Sequence, residues 1–182
     1  MAQKWINRIS AHEWQVVSLF FSGVIIYRLG MTAFFPILFL PVGFAIGMLF
    51  EFLTRDAWNY APEVYRSPCT INLGKGIKKN RLNLILGLGW LSNSFLMIPL
   101  GFHLEDAGLP WYLAYAFAGL IVGNTLEQIF LWSVLWTYNP KNWIVTCLTK
   151  KPVMFLKIPV SVRVGYAGVG LLCYGLYVWL IR

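Results

Sequence analysis

The chain has 182 residues, 58% of them hydrophobic and only 12% charged, with a net charge of +8 and a mean hydropathy of +0.63. A soluble domain is about 45–50% apolar and about 25% charged. The balance excludes a disordered chain, a collagen-like repeat and a disulfide scaffold, argues against a water-soluble enzyme, and points to an all-α polytopic integral membrane protein.

A membrane-crossing helix needs about 20 largely apolar residues. In chain order the candidates are Trp14 to Tyr27, which is short, then Met31 to Leu53, Leu82 to Phe102, Trp111 to Trp136 and Val164 to Ile181. The run Val153 to Val160 is too short and carries Lys157 and Pro159, so it reads as an interfacial segment. Five spans place 13 basic residues on one side and only Arg28 and Arg182 on the other. The positive-inside rule then makes the N-terminus cytoplasmic and puts the C-terminus on the opposite side. The whole chain, 1–182, reads as a single membrane domain.

Within it an internal repeat is expected. Gly43, Gly47 and Glu51 form a G-x3-G-x3-E row, and Gly119, Gly123 and Glu127 repeat it 76 residues later. Each row is followed by W-x-Y-x-P, at Trp58, Tyr60 and Pro62 and again at Trp136, Tyr138 and Pro140. The spacing predicts two hairpins, residues 5–62 and 81–140, with residues 141–182 left as the interfacial segment and last helix. Two spans per hairpin relate them by an axis along the membrane normal, as in parallel transporter repeats.

Residues four apart share a helix face. The glycines let backbones approach closely, and a carboxylate on the same stripe is turned toward protein or a cavity rather than lipid. Glu127 is the only charged residue between Asp106 and Lys141, and Asn124 and Gln128 lie on its face. Glu51 has Arg55 one turn on, where the two can pair. Two buried carboxyls close together hold on to a proton, which suits acid–base work. Glu127 and Glu51 are therefore the expected catalytic pair. Asn124, Gln128, Asn93, Arg55, Asp56, Trp58, Tyr60, Trp136 and Tyr138 are expected to bind substrate, the aromatic faces suiting an isoprenoid cation. Lys75, Lys78, Lys79 and Arg81 form the most basic run and fit a phosphate or lipid headgroup.

No HExxH, Walker A, paired acidic Mg2+ motif or CxxC is present, so neither metal nor cofactor is expected. The expected partners are membrane lipids and a second copy or other membrane subunits, with no nucleic acid. Three functions fit: isomerisation, cyclisation or hydration of an isoprenoid or other lipophilic substrate, proton-coupled transport by an oligomer, or a non-catalytic assembly subunit.

Overall fold

The computed structural model describes residues 20, 23–24, 39–60, 70–72, 81–83, 86–132, 136–148, 151–175 and 178–179. Helix α1 (Phe39–Thr54) ends in a single 3-10 turn (Arg55–Ala57) and strand β1 (Trp58–Tyr60). Strands β2 (Thr70–Asn72) and β3 (Arg81–Asn83) form a hairpin that leads toward helix α2 (Leu86–Asp106). Helix α3 (Trp111–Trp132) follows, then β4 (Trp136–Tyr138) and the one-turn helix α4 (Trp143–Thr146). A second hairpin, β5 (Met154–Phe155) with β6 (Ile158–Pro159), enters helix α5 (Val160–Gly168), which runs on as a π-helical stretch (Val169–Gly175).

Among the described residues, no helix is long and apolar enough to cross a membrane. This overturns the polytopic five-span fold, and with it the multi-pass location and the orientation drawn from the positive-inside rule. Helix α1 has 16 residues; at about 1.5 Å per residue it falls short of a hydrocarbon core of about 30 Å. Helices α2 and α3 are longer, and polarity disqualifies them. Ser92, Asn93 and Ser94 sit in the middle of α2, which ends in His103, Glu105 and Asp106, while α3 carries Asn124, Thr125, Glu127 and Gln128. The last expected span is split between a nine-residue α-helix and the π-helical stretch. The first, apart from residues 20, 23 and 24, lies outside the described residues, as do Lys75, Lys78 and Lys79.

The core lies where α2 and α3 pack against the π-helical stretch. Met97, Tyr115 and Tyr174 are fully buried there, and Phe102 meets Tyr115 edge to face at 6.3 Å. The turn between α2 and α3 is closed by Gly108 at φ +98°, with Leu109 N–H bonded to the Leu104 carbonyl and Gly108 N–H to that of Glu105. This is a Schellman cap, which needs a left-handed residue at that position and so favours glycine. The second close approach is between α3 and the π-helical stretch. A Cβ on Gly119 would overlap the Tyr166 carbonyl, and one on Gly170 would overlap that of Tyr115.

The two glycine rows engage their neighbours in the same way. Gly43 faces Ser94 and Gly47 faces Trp90 on α2, while Gly119 faces Gly170 and Gly123 faces Tyr166 beyond α3. Glu51 and Glu127 each accept a hydrogen bond from an aromatic residue 39 positions downstream, Trp90 and Tyr166 respectively. Strands β1 and β4 pair antiparallel in a symmetric register, Trp58 with Tyr138, Asn59 with Thr137 and Tyr60 with Trp136. The two W-x-Y segments that follow the acids thus lie against each other, and Asn139 fastens them further by bonding the Asp56 and Ala57 carbonyls.

Candidate functional site

Glu127 stands on α3 one turn beyond Gly123, on the face that the glycines press against α5. Its side chain is buried and surrounded by three aromatic donors. Trp136 Nε1 donates to Oε1 at 3.0 Å, the Tyr138 hydroxyl donates to the same oxygen, and the Tyr166 hydroxyl donates to Oε2 at 2.7 Å. Strand β4 delivers Trp136 and Tyr138 together because residues two apart share one face of a strand. Trp58 of β1 packs edge to face on Tyr138 at 5.4 Å.

Burial pushes the Glu127 carboxyl above its ordinary value; the hydrogen bonds from Tyr138, Tyr166 and Trp136, and the positive field of Arg163, pull the other way without offsetting it. Both tyrosines are pushed well above the ordinary phenol range, first by burial and then by the Glu127 charge. They therefore remain neutral hydrogen-bond donors across the physiological range. Glu51 also acts on Tyr166, so that hydroxyl lies within the electrostatic reach of both acids.

Arg163, in the first turn of α5, is held by neutral acceptors. Nη1 donates to Asn124 Oδ1 at 3.2 Å and Nη2 to Gln128 Oε1 at 2.9 Å, while Nε and Nη2 both reach the Phe155 carbonyl. Its guanidinium also lies 5.0 Å from the Phe155 ring. Asn124 and Gln128, one turn apart on α3, form the fork that receives it.

Beside this cluster lies a cavity of about 370 Å³, near the lower end of the range of small-molecule sites. Its wall includes Phe50, Leu53 and Thr54 of α1, Trp58 of β1, Trp143 and Cys147 around α4, and Tyr166 of α5. Among the described residues no charged side chain lines it. Thr54 and Ser161 turn their hydroxyls to the Phe50 and Val145 carbonyls, so the wall that remains is mostly apolar. Leu53, Trp143 and Cys147 are exposed, which places an opening on their side. Tyr166 belongs both to this wall and to the hydrogen-bond shell of Glu127.

The structure thus gathers Glu127, Trp136, Tyr138 and Trp58 from the expected site residues. Glu51 is buried and accepts from Trp90 Nε1 at 3.1 Å. Asn124 and Gln128 are committed to Arg163 rather than to the cavity wall. Asn93 is buried and donates to the Gly89 carbonyl of its own helix. Asp56 is exposed, and its carbonyl accepts from Asn139. The backbones of Arg55, Tyr60 and Arg81 are placed in the 3-10 turn, β1 and β3, while their side chains fall outside the description.

Sequence reasoning missed Tyr166, Arg163 and Trp90. Tyr166 lies 76 residues after Trp90, the offset of the glycine rows, so following that offset to the next helix would have found both. Arg163 was absorbed into the count of loop charges. Among the described residues no group of three or more His, Cys, Asp or Glu side chains is placed to hold a metal ion. No protein-family model matches the chain, and no curated protein or solved structure does either.

Proposed function

We propose that the chain carries out acid–base chemistry on an uncharged lipophilic substrate held in the cavity beside Tyr166, by isomerising, cyclising or hydrating an isoprenoid-type alkene. The observation that supports this most is the double membership of Tyr166, in the apolar wall and in the hydrogen-bond shell of a buried carboxyl. Such a carboxyl stays protonated at higher pH than an exposed one and is a matched proton donor. Glu127 holds the proton, and Tyr166 passes it by giving its own hydroxyl proton to the alkene while taking one from the carboxyl. The carbocation that forms faces Phe50, Trp58 and Trp143, whose ring faces stabilise positive charge. In isomerisation or cyclisation the cation then loses a proton from a neighbouring carbon back to Glu127 through Tyr166; in hydration water adds to the cation and its surplus proton returns to Glu127 by the same route. Glu51 holds the second carboxyl within electrostatic reach of Tyr166 and favours the cationic stage.

The transporter alternative was drawn on five spanning helices, and among the described residues no helix is long and apolar enough to cross a membrane. An assembly subunit needs no proton transfer, and isotope exchange separates that reading from catalysis. The chain is incubated in D2O with prenyl alcohols of increasing length, and recovered alkenes are weighed by mass spectrometry. The wild type is expected to introduce carbon-bound deuterium, Glu127→Gln to introduce none, and Tyr166→Phe to lose about a hundredfold or more in rate, the usual worth of a positioned proton donor. Equal exchange in the wild type and Glu127→Gln overturns the assignment.

A further inference from the structure

The β5–β6 hairpin is not used by the acid–base site, and its composition and backbone are both unusual. Its two-residue turn places Leu156 at φ +49° and Lys157 at φ +67°. Turns of this kind take Asn-Gly or Asp-Gly, because a side chain clashes in the left-handed region. Here a leucine and a lysine occupy both positions, and Leu156 is 62% exposed. Val153, Met154 and Phe155 on the same hairpin are exposed as well. Strained backbone that presents apolar side chains outward is a reason to look for function.

The base of the hairpin is fixed. Arg163 bonds the Phe155 carbonyl and lies against its ring, and Val160 N–H bonds the Val153 carbonyl at 2.8 Å. The charges carried by this part of the sequence have one sign. After Glu127 the sequence contains Lys141, Lys150, Lys151, Lys157, Arg163 and Arg182 and no acidic residue. Lys151 and Lys157 flank the tip, and both are exposed.

We propose that this hairpin is a docking tip for the surface of an anionic lipid bilayer. Val153, Met154, Phe155 and Leu156 enter the headgroup–acyl boundary while Lys151 and Lys157 stay at the level of the phosphates. Apolar insertion combined with basic flanks is the usual recipe for interfacial binding. A bilayer fits the tip better than a protein does. A stable protein interface covers about 800 Å² on each partner, and a two-residue turn with short arms offers far less. The inference does not rest on the reading of the cavity.

Flotation of the full chain with vesicles tests it, comparing phosphatidylcholine alone with phosphatidylcholine plus phosphatidylserine at low and high salt. The wild type is expected to prefer the anionic vesicles and to lose part of that preference in salt. Leu156→Asn with Lys157→Gly suits the turn and preserves the hairpin, yet it is expected to reduce partition about tenfold or more, having removed one apolar side chain and one cation. Ile121→Asn, also exposed but on α3, is expected to float as the wild type does. A double variant that floats like the wild type overturns the proposal. So does one that changes oligomer size while leaving partition intact, which makes the tip a protein contact. The acid–base reading is probed separately, because Glu127→Gln is expected to keep vesicle binding whatever its effect on deuterium exchange.

Discussion

Replacing Glu127 by glutamine separates charge from shape at the centre of the aromatic cluster. Burial raises the Glu127 carboxyl, so the folded chain binds its proton more tightly than the unfolded chain does. The stabilisation from that proton is complete below the unfolded value, about 4.3, and is lost as pH rises toward the folded value. Wild-type stability is therefore expected to fall with rising pH in this window, by up to about 1.4 kcal/mol per pH unit from this one group. Glu127→Gln cannot ionise, and its amide oxygen still accepts from Trp136 and Tyr138. Denaturant midpoints across the acid-to-neutral range are expected to lose the Glu127 component of the slope in this variant and to exceed the wild type's near neutrality. A wild type that gains stability with pH by this difference would mean that the hydrogen bonds outweigh burial. Arg163 works against burial, and its removal acts in the opposite sense. Arg163→Met leaves Asn124, Gln128 and the Phe155 carbonyl without their donor and is expected to cost about 1–3 kcal/mol. It also raises the Glu127 carboxyl further, so the loss of stability with pH starts from the same unfolded value but continues to a higher pH than in the wild type.

Gly119 and Gly170 decide how near α3 and the π-helical stretch can come, since a Cβ on either meets backbone of the other segment. Gly119→Ala is expected to destabilise by about 1–3 kcal/mol, the usual cost of overpacking, and to loosen the Tyr166–Glu127 bond, visible as a change in the pH slope above. Gly165→Ala on α5 is the contrast. Nothing lies within 4 Å of a Cβ there, and an alanine in a helix is worth up to about 1 kcal/mol over glycine. These rows were legible in the sequence as G-x3-G-x3-E, and so were the W-x-Y segments that follow them, but the bonds from Trp136 and Tyr138 to Glu127 were not. Helix α3 begins where the apolar run begins, at Trp111. The expected crossing of a membrane was not sound, because composition over the whole chain conceals how polar the middle of α2 and the end of α3 are. The first expected hairpin, 5–62, has its leading span outside the described residues apart from residues 20, 23 and 24, while in the second, 81–140, α2 packs against α3. Packing of α1 on α2 and of α3 on α5 adds to this, and pairing of helices distant in the sequence leaves no mark in local spacing. The β5–β6 turn was illegible for a different reason, since leucine and lysine carry no turn signal. Its strain is measurable: Leu156→Asn with Lys157→Gly is expected to raise stability by about 1–2 kcal/mol or more, the cost of holding ordinary residues left-handed.

At the scale of the molecule, the cavity links stability to occupancy. A ligand that binds only the folded chain stabilises it by RT ln(1 + [L]/Kd), about 2.7 kcal/mol at a hundredfold excess over Kd. For a chain of this length that corresponds to an upward shift in Tm of roughly 5–10 °C. Prenyl alcohols that fill the cavity are expected to produce such a shift, whereas charged analogues of the same length are expected to produce much less, because no charged side chain among the described residues lines the wall and a buried unpaired charge is costly. Gly165→Leu distinguishes filling the cavity from general apolar adsorption. Position 165 lies on the wall with open space beside it, so the leucine occupies volume that a ligand would take. The variant without ligand is expected to melt above the wild type, through better helix propensity and buried apolar surface, while the ligand-induced shift disappears. The two effects have opposite signs, which a misfolded variant cannot reproduce. A full shift retained in Gly165→Leu would place the ligand elsewhere and detach Tyr166 from any substrate.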